Sequence, residues 1–334
     1  MSRFLNLLQR LNNEGDHTSA GAIAQNTPAA SQLDQTLSIL LPKEKRDPGK
    51  TGNGSEPCQA TSVLLSENSR HSEDLENGSE FSQIPAEKVH IDPTSRIVFY
   101  TDPGSPGANR FRFLRMRLRE LWNTKKLRTL LITSPLPEDG KSTIALNLAT
   151  ALAEGGKRSV LLIEADLHRS PLTKKLSLRT GPGLGECLED GLNPLSAVRR
   201  LEPLGWYLLS AGQSHGNPTD LLQTESLSAV IQKLSPHFDW ILIDSPPVIP
   251  LTDALSLARQ ANGSLLVARA GRTPSEALEK AITLLGRQQV VGVVLNGVEE
   301  LHRLYSGYYG YSGNNNGRAG EKTELSGAQA GKRK

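Results

Sequence analysis

Residues 137–143 (PEDGKST) combine a short polar loop with one lysine and two hydroxyl side chains, a combination that can bind a nucleotide. The apolar run 130–132 precedes them and an amphipathic helix follows, as in a phosphate-binding loop. Backbone N–H groups and the helix dipole attract phosphates there, Lys141 reaches the β and γ phosphates, and Ser142 can ligate Mg²⁺. Because Pro135 replaces the first glycine of the usual pattern, a plain strand–loop–helix turn is the alternative.

Acidic residues end two further apolar runs. Glu164 and Asp166 emerge two residues apart after one run, and Asp244 ends the run 241–243 in the Walker B manner. Since parallel strands end at one edge of a sheet, these acids and the loop should converge on one crevice. Each acid alone could be a helix cap or a solvated strand end, and for Asp253 the cap is the preferred interpretation. Together they predict a phosphoryl-transfer site.

A cluster of tyrosines provides possible phosphoryl acceptors. Four of the six tyrosines fall within seven residues, among Ser, Gly and Asn, where they can bury little surface: Tyr305, Tyr308, Tyr309 and Tyr311. We expect them to be exposed. An aromatic stacking surface for nucleic acid or a protein partner is the alternative.

Short apolar runs alternate with helical patterns after residue 89 and must position these groups. Continuous apolar runs indicate strands buried on both faces, so we expect an α/β fold of P-loop NTPase type, with a mostly parallel sheet covered by helices on both faces. The expected strands are 96–100, 130–132, 159–165, 206–209, 240–243, 264–268 and 290–295. The expected helices are 108–123, 141–154, 217–234 (capped by Asn217), 253–260 and 273–285 (with a capping box at Thr273).

Composition bounds the organisation of the 334 residues. Only 4% are aromatic, while Gly (30) and Pro (20) are plentiful, which indicates a sizeable unpacked part. We expect a possible amphipathic helix at 1–12, a disordered linker at 13–88, a P-loop domain at 89–300 and a flexible tail at 301–334.

Charge and cysteine usage exclude some classes of function. A net charge of +3 is too balanced to indicate nucleic-acid binding. The two cysteines have no metal-ligand spacing, which fits a reducing cytoplasm. The sequence has no apolar run long enough for a membrane-spanning helix, so the expectation is a soluble cytoplasmic protein. The helix at 108–123 carries five arginines, and a solvated basic face or an oligomer contact could explain them.

The motif series resembles the bacterial tyrosine kinases of capsule and exopolysaccharide systems. It consists, in order, of SPLPEDGKST, VLLIEADLHRS, AGQSHGNPTDLLQ, WILIDSPPV, LLVARAGRTPSEA, VVGVVLNGV and the tyrosine cluster. The series is most similar to the soluble kinase subunits and the exosortase-associated tyrosine autokinases. This resemblance implies a P-loop fold that transfers the γ-phosphoryl group of ATP to tyrosines in the tails of neighbouring copies, regulating exopolysaccharide synthesis and export.

The resemblance also implies roles for single residues. Lys141, Asp166 and Asp244 are the implied catalytic residues, and Ser142, Glu164 and Asp244 the implied Mg²⁺ ligands. The implied ATP contacts are Pro137, Glu138, Asp139, Gly140, Lys141, Ser142, Thr143 and Asn296, and the implied oligomer contacts are Arg112 and Arg115. The sequence departs from the family at Glu164 and His168, where the family has Asp and Arg, and at Asn109, where it has Glu.

The implied partners are a membrane polysaccharide co-polymerase as activator, further copies in a ring or oligomer, and a cognate tyrosine phosphatase, with no nucleic acid. Recruitment would place the protein at the inner face of the cytoplasmic membrane. Two alternatives remain open. A ParA- or MinD-like positioning ATPase is disfavoured because Leu136 stands where such proteins have a lysine. A nucleotide-binding scaffold with weak catalysis is favoured by Glu164, His168 and Asn109.

Overall fold

The computed structural model describes residues 84–298. The helix expected at 1–12, most of the linker, and the tail with Tyr305, Tyr308, Tyr309 and Tyr311 lie outside the described residues, so these expectations stay predictions. The described part is an α/β domain built on one sheet.

The sheet has eight strands in the described part, ordered β1-β4-β5-β3-β6-β2-β7-β8. Their bounds are β1 Ala86–Lys88, β2 Thr129–Thr133, β3 Val160–Glu164, β4 Val198–Glu202, β5 Trp206–Leu209, β6 Trp240–Asp244, β7 Gly263–Arg269 and β8 Val290–Asn296. All neighbouring pairs are parallel except β4 and β5. The six mutually parallel strands therefore end at one edge of the sheet, as the sequence predicts; in sheet order they are β5, β3, β6, β2, β7 and β8.

Helices cover both faces of this sheet. Their bounds are α1 Val98–Thr101, α2 Pro106–Lys125, α3 Lys141–Ala153, α4 Pro171–Lys175, α5 Leu184–Glu189, α6 Pro194–Ala197, α7 Pro218–Leu222, α8 Glu225–Leu234, α9 Asp253–Arg259 and α10 Ser275–Leu285. Two 3₁₀ turns, Pro93–Ser95 and Ser235–His237, complete the described elements.

Side-chain alternation along the central strands divides the core. Leu130 of β2 packs in one apolar cluster with α2 and α3, whereas its neighbour Leu131 packs in another with α5 and α8. A third cluster joins β7 to α9 and α10. Each fully buried leucine contributes about 2 kcal/mol to the hydrophobic stabilisation of this frame. The frame holds the ends of β2, β3 and β6 in fixed register.

Two predictions about the N-terminal and edge regions are wrong. Strand β1 lies within the expected linker, where it pairs with β4 although its sequence has no apolar pattern. Residues 96–100, expected as a strand, include the start of α1 instead. The side chain of Asn147 on α3 accepts from the Val98 N–H and donates to the Arg96 carbonyl, both at 2.8 Å, which satisfies the groups that a strand neighbour would pair.

Two expected helix starts have different outcomes. Asn217 caps α7 as predicted, since its side chain accepts from the Thr219 N–H at 3.0 Å, but the pattern to Leu234 divides into α7 and α8. The capping box at Thr273 is wrong, because α10 begins at Ser275 after Pro274 without a side-chain cap. The Thr273 hydroxyl is used elsewhere.

Candidate active site

The phosphate loop lies between β2 and α3 and is fixed by contacts with neighbouring loops. The buried Asp139 carboxylate accepts from the Leu136 N–H at 3.1 Å and from the Thr273 hydroxyl at 2.7 Å. Gly140 has φ +101°, which only glycine adopts easily, and a Cβ there would collide with Asn296 Nδ2. The loop therefore has one defined shape before any ligand binds.

Lys141 and Asp166 face each other across this loop. Lys141 Nζ lies 3.5 Å from Asp166 Oδ2, and the two side chains are 11% and 3% exposed. Asp166 follows β3 by two residues, so the sheet brings the second predicted acid to the phosphate-loop lysine. The predicted convergence of these two residues is confirmed.

Asp244 ends β6 as a buried carboxylate whose only nearby polar groups of opposite effect are the Lys141 ammonium and the Ser142 hydroxyl among the described residues. It is 0% exposed, and neither oxygen has a partner of regular hydrogen-bond geometry within residues 84–298. Burial raises the pKa of Asp244 to about 7, the nearby Lys141 ammonium and Ser142 hydroxyl oppose this shift, and the charges of Asp166 and Glu164 add to it. Two unpartnered buried oxygens beside a serine hydroxyl fit a Mg²⁺ ion.

Glu164, predicted as a metal ligand, is hydrogen-bonded by the protein itself. Its Oε1 accepts from the N–H groups of Leu172 (2.6 Å) and Thr173 (3.1 Å), and its Oε2 accepts from the Thr173 hydroxyl and from the Ala211 N–H (3.2 Å). A carboxylate has about four acceptor positions, and all are used here. In this structure Glu164 anchors the start of α4 and has no free lone pair for a metal.

The remaining donor set fits Mg²⁺ held together with phosphates. No group of three or more His, Cys, Asp or Glu residues that could hold a metal occurs between residues 84 and 298. Mg²⁺ is commonly bound by one or two carboxylates together with substrate phosphates and water. Asp244 and Ser142 would supply the protein part of such a shell.

His168 and Asp253 also differ from expectation. His168 Nε2 lies 2.9 Å from Oδ2 of the fully buried Asp253, which is the first residue of α9 after the N-cap Thr252 and makes no cap hydrogen bond. The preferred interpretation of Asp253 as a cap is therefore wrong. The next residue, Arg169, lines the central cavity, whereas His168 does not. Arg169 is therefore the cation of this turn that faces the cavity.

A cavity of about 670 Å³ opens above the loop, which is a normal size for a small-molecule site. The predicted ligand-contacting residues that line it are Glu138, Gly140, Lys141, Ser142, Thr143, Asp166 and Asn296. Pro137 and Asp139 do not line the cavity. The Asp139 carboxylate instead fixes the loop by accepting from the Leu136 N–H. Asn296 Nδ2 donates to the Asp139 carbonyl at 2.9 Å, so this amide also holds the loop in place.

Several cations at the cavity could not be found by motif matching. Arg96, Arg110, Lys175 and Arg269 line it, but they come from separate elements and belong to no short motif. Lys175 is half-buried, and burial followed by the charge of Arg96 lowers its pKa, while Asp244 opposes that shift. The basic pattern of 108–123 was the only sequence signal, and it indicated a different surface.

The two arginines implied as oligomer contacts are engaged within the chain. Arg112 donates to the Asn109 side chain at 2.7 Å and to the Pro103 carbonyl at 3.1 Å. Arg115 donates to the Ala151 carbonyl at 3.1 Å. Their role in an oligomer stays a prediction.

The fold and the site define a P-loop phosphoryl-transfer domain, and comparisons with known proteins assign it further. Tyrosine-protein kinase YwqD of Bacillus subtilis is 30% identical over 220 residues, covering 65% of this chain and 92% of that protein. Tyrosine-protein kinase ptk of Acinetobacter johnsonii is 35% identical over 199 residues, covering 59% of this chain. The BceF tyrosine kinase domain has a TM-score of 0.55 at 33% identity, covering 68% of this chain and 87% of that domain.

This chain belongs to the bacterial tyrosine kinase family, which confirms the resemblance seen in its motifs and the predicted P-loop NTPase fold. The chain spans only 27% of the Acinetobacter relative. No family model matches it. None of the helices within residues 84–298 has the length and apolar character that crossing a bilayer requires.

Proposed function

We propose that this chain is an ATP- and Mg²⁺-dependent tyrosine autokinase that phosphorylates Tyr305, Tyr308, Tyr309 and Tyr311 and thereby regulates exopolysaccharide synthesis and export. The observation that carries the proposal is the Lys141–Asp166 contact beside the unpartnered oxygens of Asp244. Lys141 and Asp166 line the cavity and Asp244 lies beside Ser142, which supports roles as phosphate-binding cation, proton acceptor and metal-directed carboxylate for one bound nucleotide.

Each residue of the proposed site has one role in the phosphoryl transfer. The attacking tyrosine oxygen forms a bond to the γ-phosphorus while the bond to the β,γ-bridging oxygen breaks, and ADP leaves with that electron pair. Asp166 accepts the phenolic proton, and Lys141 with the loop N–H groups stabilises charge on the phosphate oxygens. Bound Mg²⁺ would supply further charge neutralisation, held by Asp244 and Ser142.

Activation and reversal follow the family resemblance. We propose that a membrane polysaccharide co-polymerase recruits and activates the protein at the cytoplasmic membrane. Copies of the chain self-associate so that one tail enters the site of a neighbour, and a cognate tyrosine phosphatase removes the phosphoryl groups. Copies in contact would bring acceptor and site together at high effective concentration.

Autokinase activity is testable with purified full-length protein, labelled ATP and Mg²⁺. Wild type is expected to form phosphotyrosine, and Lys141→Met to lose about 100-fold or more of the rate, because the β and γ phosphates lose their mobile cation. Lys157→Met is the matched control, since Lys157 is exposed just past the far end of α3. The variant with Phe in place of all four tail tyrosines should lose most incorporation.

The same assay separates the alternatives. Absence of phosphotyrosine in wild type, even with the cytoplasmic tail of its membrane partner present, would refute the kinase assignment. ATP hydrolysis without phosphotyrosine would indicate a positioning ATPase. ATP binding without turnover would indicate a scaffold.

A further inference from the structure

Four cations line one side of the cavity without a salt bridge in the described part of the chain, although Glu138 and Asp244 lie close enough to act electrostatically on Arg169 and Lys175. The side chains of Arg96, Arg110, Arg169 and Lys175 make no salt bridge or hydrogen bond within residues 84–298. Six other arginines of the domain do form salt bridges with carboxylates, namely Arg115, Arg117, Arg119, Arg158, Arg199 and Arg272. Cations that converge on a cavity without partners indicate an anionic ligand.

Strand order places this side of the cavity away from the β8 end. From β2, which precedes the phosphate loop, β8 is two strands away in one direction and β3 two strands away in the other. Strands are about 4.8 Å apart, so the two ends are separated by about 19 Å. Asn296 and Gly297 follow β8, whereas Arg169 and Lys175 follow β3, beside Asp166. Arg169 and Lys175, with Arg96 near Lys175, therefore lie on the Asp166 side, from which we expect the acceptor to reach the transferred phosphoryl group.

The wall that carries Arg96 is held in place. Asn147 of α3 bonds the carbonyl of Arg96 and the N–H of Val98, so this segment is tied to the helix of the phosphate loop. Phe111 and Val98 line the same wall and add apolar surface beside the charges. A wall with fixed cations and an aromatic ring suits a ligand that joins a phosphate to an aromatic ring.

Electrostatics supports an anion here. Lys175 is half-buried beside Arg96, and both burial and that like charge lower its pKa. A phosphate dianion between these side chains would replace repulsion by charge-assisted hydrogen bonds. The phosphate loop already offers ATP one cation, Lys141, which pairs with Asp166. The four cations of this wall are additional to it.

Resting on the proposed autokinase function, we propose that this wall, formed by Arg96, Arg110, Arg169 and Lys175, binds a phosphotyrosine next to the tyrosine under attack. The first phosphorylation of the cluster then promotes the next. Residues 301–320, which contain the four tyrosines, have no Asp or Glu, so this part of the tail offers no side-chain anion to these cations until it is phosphorylated. The added phosphoryl transfers are the same balanced reaction, with ATP as donor and ADP as leaving group.

The test uses full-length protein carrying Tyr305→Phe, Tyr308→Phe, Tyr309→Phe and Tyr311→Phe, and two peptides of residues 301–316. Both peptides keep Tyr311 as acceptor and have Phe at positions 305 and 309, and only one has phosphotyrosine at 308. We expect kcat/KM for the phosphorylated peptide to be about 10-fold higher. Arg96→Ala and Arg110→Ala should each reduce this ratio toward one, and Arg96→Lys should retain part of it.

Arg117→Ala is the matched control, because Arg117 lies on the same helix as Arg110, pairs with Glu120 and does not line the cavity. Its peptide ratio should equal that of wild type. Equal rates for both peptides with the parent four-Phe protein would overturn the phosphotyrosine subsite but leave the kinase assignment intact. If neither peptide is phosphorylated, both proposals fail.

Two further measurements identify the ligand. Free phosphotyrosine should inhibit turnover of the phosphorylated peptide more strongly than inorganic phosphate does, and equal inhibition would contradict recognition of the aromatic ring. Binding of ATP to Arg96→Ala and Arg110→Ala is measured separately. Loss of ATP affinity in step with the loss of the peptide ratio would show that these arginines serve ATP and would overturn the proposal.

Discussion

Glu164 and Asp244 are register partners in β3 and β6, yet their surroundings are opposite. Glu164 has four hydrogen bonds to the start of α4 and to Ala211, whereas Asp244 has none of regular geometry among the described residues. One carboxylate therefore stabilises the fold, and its neighbour is left free for a ligand at the expense of stability. This difference leads to two opposite predictions for their removal.

Asp244→Asn should stabilise the metal-free protein at high pH. The folded-state pKa of Asp244 is about 7, above its ordinary value of 3.8, so the unfolded chain loses this proton first as the pH rises. Wild-type stability should therefore fall between about pH 4 and pH 7, by at most about 4 kcal/mol from this group, and Asn removes that loss. Urea unfolding at pH 4, 5.5 and 8 measures it.

The control for this pH series is Asp190→Asn, because Asp190 is exposed. Its difference from wild type should be the same at all three pH values. With Mg²⁺ and ADP present, wild type should gain stability and Asp244→Asn should not. If Asp244→Asn and wild type unfold at the same urea concentration at pH 8, the ionised Asp244 carboxylate does not destabilise the fold, and the prediction is wrong.

Glu164→Ala should have the opposite effect. It removes the acceptor for the buried N–H groups of Leu172 and Ala211 and the N–H of Thr173, so we expect about 3 to 5 kcal/mol lower stability at pH 7. Mg²⁺-dependent ATP binding of the folded fraction should change much less than in Asp244→Asn. Glu189→Ala, which removes an exposed carboxylate with one bond to the His215 N–H, is the control. Lost Mg²⁺ binding at unchanged stability would restore Glu164 as a ligand.

The central strands and the site residues on them could be predicted because local sequence determines them. Buried parallel strands need continuous apolar runs, and the loop before Lys141 follows a compact pattern, so Asp166 was predicted correctly at the cavity and Asp244 at the end of β6. The edge strand β1 could not be predicted, since its pairing with β4 depends on residues more than 100 positions away. The same holds for α1, whose start depends on Asn147.

Side-chain partners were the part of the site that sequence could not supply. Glu164 stands at a metal-ligand position in the motif, but the turn of α4 brings Leu172 and Thr173 onto it. The cations Arg96 and Lys175 meet only because the segment before α1 folds over α3. Such contacts arise from tertiary packing and leave no periodic or motif signal.

His168 and Asp253 should be energetically coupled. Asp253 is fully buried and His168 is its only polar side-chain partner among residues 84–298, so His168→Ala should lower stability by about 2 to 3 kcal/mol. A double-mutant cycle with Asp253→Asn should give a coupling of about 1 to 3 kcal/mol. The exposed pair Arg117–Glu120 is the control, with a coupling below about 0.5 kcal/mol. Additive effects at His168 and Asp253 would contradict the contact.

Gly140→Ala should weaken ATP binding by about 10-fold to 100-fold, because it strains the phosphate loop. The positive φ disfavours any Cβ, and the added methyl group would displace Asn296 from its bond to the Asp139 carbonyl. Combining it with Asn296→Ala relieves the collision but leaves the strained φ, so affinity should recover only in part. Gly155→Ala has a similar φ of +70° with open space around it and lies outside the cavity, so it should lower stability by about 1 kcal/mol with ATP affinity unchanged. Wild-type ATP affinity in Gly140→Ala, measured by calorimetry, would show that the loop adapts and that Asn296 does not hold it.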